Sequence, residues 1–567
     1  MKKLLLSLPF LLLSGTLAAQ QPCDLTAEKP LKVLSEELKR NFKTLKKQKP
    51  PIYYLSYFFY DIYNMSVEVS EGGVSSKTQG PTFYAQVAAR SGSPEMDSTR
   101  TLKTKKEAAD KFILQKAPAT GYDADTLKIT LWDLTQRAAR SAQRNFSDVQ
   151  ADAQNASERA DNSNDFVFPP KENFCRTANF ASFDLDRIAD QLTQASLLTQ
   201  GYDFILNSNF SFSATYGHRY FTDSVGTLLK TPTQLVRLSY SLTGQTKDGQ
   251  ILNRSKSYDV LSPDQLPSQA QLRADIEQSI GELKILLQAP EAEPVSVPAI
   301  LKNKAMAVFV HEVLGHRMEG HRQKQDSFGR TFTDKIGQQV VSPILTIVDD
   351  ATLPSFNGIP LRGFYEYDSE GVKVRPVTLI EKGVLKEFLM SSSPIKNFPV
   401  SNGHGRAALG RHPVARMGNT RTLADPVVSY DTLEKMLLDE IKKQNKPYGI
   451  IIEDLSGGFT QTSTYSPQAF KLEPTLVYRL YPDGRKEAVR GADMVGTPLV
   501  SFNAVIAAAD DYDVFNGSCG AESGWVPVSS IAPSVLLKSL EIEKTTKSMH
   551  KPPVLIPPFS TGKGGQK

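Results

Sequence analysis

Cysteine and tryptophan are scarce, at three and two in 567 residues. Too few cysteines are present for a disulfide-dense scaffold. Beyond the first 20 residues no apolar run approaches the roughly 20 residues that a spanning helix needs, which argues against a helical membrane span. Neither charge sign dominates: Lys+Arg 66 stand against Asp+Glu 61, for a net charge of +5. That balance excludes a polyanion-binding surface built on bulk charge, so no nucleic-acid partner is expected. The one basic run, residues 39–49 (KRNFKTLKKQK), reads as the solvated face of a helix. What is present is ordinary globular composition, 40% hydrophobic and 22% charged, with length for two large domains or three to four small ones.

The first residues carry an address. Lys2 and Lys3 precede an apolar stretch over 4–13, and Thr16-Leu17-Ala18-Ala19 offers small residues for cleavage. Residues 1–19 therefore read as a secretory signal peptide, and the protein as exported, either periplasmic or secreted. Cys23 follows Gln21-Pro22 rather than the small residues that precede a lipidated bacterial cysteine. In an oxidising compartment the simplest pairing of three cysteines is a Cys23–Cys175 disulfide. Cys519 then remains as a thiol that is buried or bound to a metal.

Hydrophobic periodicity predicts helices over 31–48, 107–117, 126–159, 184–198 and 268–288. Strands are expected over 52–64, 65–69, 83–89, 203–212, 228–242 and 252–260. The fold class is α+β: an N-terminal α+β domain over 20–290, with helices flanking an antiparallel sheet. Residues 291–298, within the proline-rich APEAEPVSVP, read as a linker. A β-rich C-terminal domain is expected over 299–548, with one helix over 299–316 and a second over 431–444. Residues 549–567, rich in proline and glycine, read as a flexible tail.

Three of the seven histidines fall within eleven residues, His311, His316 and His321, in VFVHEVLGHRMEGHRQ. Glu312 follows the first. Zinc-peptidase helices usually place two histidines at i and i+4, on one face. The spacing here is i and i+5, which turns the second ring about 140° from the first on a regular α-helix. Either a π-type turn restores the facing, or the helix ends near Gly315 and His316 enters from the turn. Two neutral imidazoles and a third ligand would leave zinc one open position, with Glu312 as the base that takes a proton from the water. Residue types alone leave His321 and Cys519 level as the third ligand.

HEVLGH resembles the motif of the TldD/PmbA family, and other segments add to the likeness. They are TIVDDATLPSFNG (346–358), YDSEGVKVRPVTLIEKGVLKEFL (367–389), NGHGRAALGRHPVARMGNT (402–420) and NGSCGAESGWVPVSSIAPSVLLKSLEI (516–542). The resemblance is strong over about 298–543 and looser before it. It implies a zinc metallopeptidase with one Zn2+ per catalytic chain, held by His311, His316 and Cys519, with Glu312 as catalytic base. It also implies a homodimer, or a heterodimer with a related subunit, enclosing a chamber in which extended or unfolded peptides are hydrolysed. His321 departs from the family, where that position is usually acidic, and reads as an outer or substrate-side residue. Glu522 matches a family position and could orient a ligand or a substrate amine. Arg406, Arg416 and Asn419 read first as packing and turn residues, with substrate contact as the second reading. His404 and His412 read as loop residues, and Asp349-Asp350 as a turn. The competing functional reading is a non-catalytic scaffold or partner subunit whose zinc is structural, held by all three histidines and the cysteine. A lesser one is another zinc-assisted amide hydrolase, acting on cell-wall peptides.

Overall fold

The computed structural model describes residues 20–102, 113–116, 123–155, 161–324, 332–460 and 469–546. The expected leader and the expected tail lie outside the described residues.

Among the described residues the N-terminal half is an eight-stranded sheet with four α-helices. Its centre is three long strands, Ile52–Ser70, Gly73–Ser91 and Ile205–Asp223, followed by Leu228–Gln245. Alternation decides their facing. In Ile205–Asp223, Phe210, Phe212 and Ala214 are buried, while Asn209 before them and Ser213 between the last two are exposed. The stretches read as separate strands over 52–64 and 65–69 are one strand. Its hairpin partner is longer than the apolar 83–89, because the backbone ladder continues through the polar Gly73–Thr82. The turn between them is Glu71-Gly72, both at positive φ, as a tight two-residue hairpin requires. Lys29–Leu45 and Ala124–Asn155 pack on one part of the sheet, and Leu185–Leu197 and Gln269–Gln288 on another. Leu185–Leu197 buries Leu185, Ile188, Ala189, Leu192 and Ala195, and Asp184 caps its first turn. The helix expected over 107–117 is corrected in part: Ile113–Lys116 is a strand paired with Gly73–Ser91, and 107–112 lie outside the described residues. A disulfide joins Cys23 to Cys175, fastening the strand Gln20–Pro22 to Asn173–Ala178.

The C-terminal half holds a six-stranded and a seven-stranded sheet. Val295–Leu301 is a central strand of the second, so the expected linker over 291–298 is structured from Val295 on. Its paired backbone and buried Val297–Leu301 override the proline signal. The helix expected over 299–316 accordingly starts at Asn303. Pairing of Gly449–Thr460 with Phe470–Leu480 closes five strands of the seven-stranded sheet into a ring. Helix Asn303–Phe309 lies between Gly449–Thr460 and the hairpin Asp513–Ala521/Gly524–Ala532 of the six-stranded sheet. Its residues Ala305–Phe309 are at most 1% exposed, and Ser530 Oγ donates to the Ala307 carbonyl at 2.8 Å. The helix is thereby held rigidly and delivers the histidine segment to the hairpin. Helix Tyr430–Lys443 covers the other side of the seven-stranded sheet through Leu433, Leu437 and Ile441. The chain is α+β as the sequence pattern implied, and no helix among the described residues is long and apolar enough to cross a membrane.

Candidate metal centre

Directly after Phe309 the backbone widens. Val310–Leu314 is a π-turn, in which the N–H of Gly315 reaches the carbonyls of both Val310 and His311. A 3-10 turn, Gly315–Met318, follows. Both geometries that the five-residue histidine spacing allowed are therefore used in succession. Gly315 is at φ −54, an ordinary helical value, so backbone freedom is not why glycine stands there. A Cβ at this position would lie 2.0 Å from Met417 Sδ. The widened turn and the missing side chain together let His316 fold back toward His311.

The two imidazoles meet at 78°, with ring centroids 5.2 Å apart. Cys519 comes from the hairpin strand Asp513–Ala521, 203 residues after His316. Its Sγ lies 3.1 Å from His311 Nε2 and 3.3 Å from His316 Nε2. Adjacent N and S ligands of a tetrahedral zinc stand about 3.5 Å apart, from bond lengths of about 2.05 and 2.3 Å. The donor set and its spacing thus fit zinc, and His311, His316 and Cys519 could hold one ion. All three are buried, so the cluster lies within the core. Burial alone would raise the Cys519 thiol, but the two imidazoles outweigh it and hold it at about 4. The site is therefore ready to offer a thiolate.

Glu312 is the only member of the four that is not fully buried. Burial pushes its carboxyl up, against the pull of His311 and His316. A carboxyl raised in this way holds a proton more readily than an ordinary glutamate, as a proton carrier must.

The sequence reading missed Glu319. It is 0% exposed, and its Oε1 accepts from His316 Nδ1 at 3.2 Å. That bond fixes the tautomer and leaves Nε2 free as a ligand atom. Its Oε2 accepts from Arg322 Nε at 2.7 Å, and Arg416 Nε stands 3.3 Å from Oε1. Burial would raise Glu319, but His316 and the guanidiniums hold it down at about 2. Arg416 also donates to the Cys519 carbonyl at 2.7 Å and to Ser523 Oγ at 2.8 Å. One guanidinium thus braces the base of the cysteine and the carboxylate behind His316. The signal was an acid three residues after His316, hidden because the helix was taken to end at that residue.

His321 does not join the cluster. Its Nε2 bonds the Glu522 carboxylate, whose other oxygen accepts from Arg322 at 3.0 Å. His321 and Arg322 hold Glu522 far below the usual carboxylate range despite its burial. The closed set of three histidines and the cysteine, which a structural zinc would use, is not formed. Arg406 spends its donors on the Met417 and Pro527 carbonyls and stacks on Tyr365. Asn419 donates to the carbonyls of Asp350 and Leu353. Arg416 and Asn419, both fully buried, act as braces inside the fold, which is the first of the two readings the sequence offered. His404 is a buried loop residue bonded to Asp349 and Asn402. Asp349 is more than a turn residue: it is fully buried and accepts from Gly418 N and Thr420 Oγ1.

Residues 294–544 match the family model of the PmbA/TldA metallopeptidase C-terminal domain. A metalloprotease of Methanothermobacter thermautotrophicus is 28% identical over 279 residues, 48% of this chain and 57% of the relative. A zinc metalloprotease TldD homolog of Saccharolobus solfataricus is 26% identical over 277 residues, 47% of this chain and 57% of the relative. The chain thus spans little more than half the length of these curated relatives. The crystal structure of TldE from Thermococcus kodakarensis superposes with a TM-score of 0.60 at 13% identity, covering 90% of this chain and 100% of that one. This likeness is one of fold.

Proposed function

We propose that the chain is a TldD/PmbA-type zinc-dependent metallopeptidase acting on extended or unfolded peptides, a reading supported by the family-model match over residues 294–544 and by relatives named metalloproteases. The observation that carries this reading is the convergence of two imidazole Nε2 atoms on the Cys519 sulfur, 3.1 and 3.3 Å away, with Glu312 in the same π-turn. His311, His316 and Cys519 would hold the ion, and three protein ligands leave a fourth position open.

When bound, zinc supplies Lewis acidity that polarises a scissile carbonyl and makes water acidic enough to attack it. Glu312 takes the proton from that water and passes it to the leaving amine. Glu319 keeps the His316 ring oriented and its Nδ1 protonated. Arg416 holds the Cys519 carbonyl, so the cysteine cannot recede during a cycle. Asp513–Ala521 is the terminal strand of its sheet, and Ser518 and Gly520 on it are exposed. An extended peptide would pair with this edge beside Cys519.

The assembly we infer is a homodimer, or a heterodimer with a related subunit, that encloses the site and admits only unfolded chains. We place the protein outside the cytosol, periplasmic or secreted. The Cys23–Cys175 bridge and the leader-like residues 1–19 support that placement. The test is Glu312→Gln assayed on quenched-fluorescent unfolded peptides. Zinc content should match the wild type while turnover falls at least about 100-fold. Turnover within a few-fold of wild type would remove Glu312 as the base.

A further inference from the structure

A cavity of about 440 Å³ lies where the N-terminal sheet meets the C-terminal half, a volume in the range of small-molecule sites. It is separate from the metal centre. Trp525, Val526 and Pro527 line it, and Trp525 pairs with Gly520 while Val526 pairs with Cys519. Neighbouring residues of a strand point to opposite faces. Trp525 is 71% exposed and Val526 is buried beside Cys519. The hairpin thus forms part of the cavity wall, and none of His311, Glu312, His316 and Cys519 is in the lining.

The cavity is lined by three arginines and three carboxylates, Asp259, Glu366 and Asp368, but the carboxylates are shared with arginines outside the lining or held by backbone N–H groups. Arg219, Arg362 and Arg406 line it. Arg219 donates to the Tyr367 carbonyl at 2.6 Å, a neutral acceptor. Arg406, 7% exposed, donates to two carbonyls and stacks on a tyrosine ring, and among the described residues no carboxylate pairs with it directly, Asp349 acting only at longer range. Arg362 and Arg237 share the single carboxylate of Asp259, and Arg362 Nε is buried without an acceptor. The lining carboxylates are already engaged. Glu366 pairs with Arg176, and Asp368 accepts from the backbone N–H groups of Glu370, Val372 and Gly405. Cations withdrawn from water without a counter-charge are costly. The rest of the wall is apolar or aromatic, with Phe180, Phe364 and Trp525 among its members.

We propose that this cavity binds an organic carboxylate with an apolar or aromatic body, such as the free C-terminal end of a short peptide. The guanidinium fork matches a carboxylate in shape as well as charge, and Phe180, Phe364 and Trp525 receive the apolar part. The site stands apart from the hydrolytic reading and needs no metal.

The probe is acetyl-Ala-Ala-Phe with a free carboxylate, set against its C-terminal amide, with binding read by isothermal titration calorimetry. The free acid should bind at least about tenfold more tightly than the amide. Trp525→Ala changes a side chain that is mostly in solvent, so it keeps the fold, and should weaken the acid at least about fivefold. Arg219→Met should do the same, with its melting temperature recorded alongside. Cys519→Ser should bind the acid as the wild type does. Equal binding of acid and amide, no binding of either, or unchanged binding in both Trp525→Ala and Arg219→Met overturns the proposal. Loss of binding in Cys519→Ser overturns it too, because the peptide would then sit at the metal centre. Absence of peptide hydrolysis by the zinc-loaded chain would refute the peptidase reading alone and leave these outcomes standing.

Discussion

Replacing Glu319 by glutamine removes one charge and no volume, and it acts on the metal centre without touching a ligand atom. In the native chain this carboxylate is fully buried and faces three partners: His316 Nδ1 at 3.2 Å, Arg322 at 2.7 Å and Arg416 at 3.3 Å. Glutamine can still accept from His316, so the ring keeps a neutral hydrogen bond. The charge that makes the imidazole a stronger donor to the metal is lost. Removing such an outer partner lowers metal affinity by about 10- to 100-fold, or about 1.4–2.7 kcal/mol. Folding stability falls as well. Breaking a buried pair costs about 3–5 kcal/mol, and the lower end applies because Arg322 keeps its second carboxylate, Glu522, at 3.0 Å. Arg416 loses its only carboxylate partner among the described residues but keeps Ser523 and two carbonyls. The assay is competition for zinc against a chromophoric chelator, well below the melting temperature of the variant. Zinc affinity within twofold of wild type in a folded Glu319→Gln chain would refute the assignment of Glu319 as the group that orients His316.

Two further predictions concern the N-terminal half. The Cys23–Cys175 bridge spans a sequence separation of 152, which chain entropy values at about 5 kcal/mol and which in practice delivers about 2–5 kcal/mol. The double variant Cys23→Ala/Cys175→Ala should lose that much in urea unfolding, and an unchanged midpoint contradicts it. His218 is held at about 4, first by burial and then by Lys230, with its Nε2 accepting from the Ala178 N–H. Its folded pKa lies below the unfolded value near 6.5, so the unfolded chain takes up the proton first. Stability supplied by neutral His218 is present above about 6.5 and is lost as pH falls toward 4. In His218→Gln the drop in unfolding midpoint between pH 7 and pH 4.5 should be smaller than in wild type; an equal drop removes His218 from the acid response.

Much of this molecule is legible in its residues, for physical reasons that differ from place to place. The helices Leu185–Leu197 and Gln269–Gln288 follow from apolar spacing and from the caps Asp184 and Ser268. The α+β order follows as well, because alternation survives in Ile205–Asp223 and Leu228–Gln245. Strand lengths do not. Thr78-Gln79-Gly80-Pro81 carries no strand signal, and only the neighbouring Ile52–Ser70 ladder keeps it extended. At the metal centre the five-residue histidine spacing demanded a departure from α-helix, and the π-turn supplies it. Cys519 could not be preferred over His321 by residue type, since their separation in space depends on where a remote hairpin lies. Family resemblance, not periodicity, made that choice, and the geometry brings His311, His316 and Cys519 together while tying His321 to Glu522. Glu319 was out of reach because its meaning depends on two arginines, one of them nearly a hundred residues away.

On the proposed function, His311, His316 and Cys519 hold one zinc ion and leave a position open. Metal content per chain, measured by mass spectrometry on purified wild type, Cys519→Ser and His321→Ala, addresses it most directly. One zinc is expected in the wild type and in His321→Ala, and none in Cys519→Ser. Zinc retained by Cys519→Ser but lost from His321→Ala would contradict it and return the site to the clustered histidines.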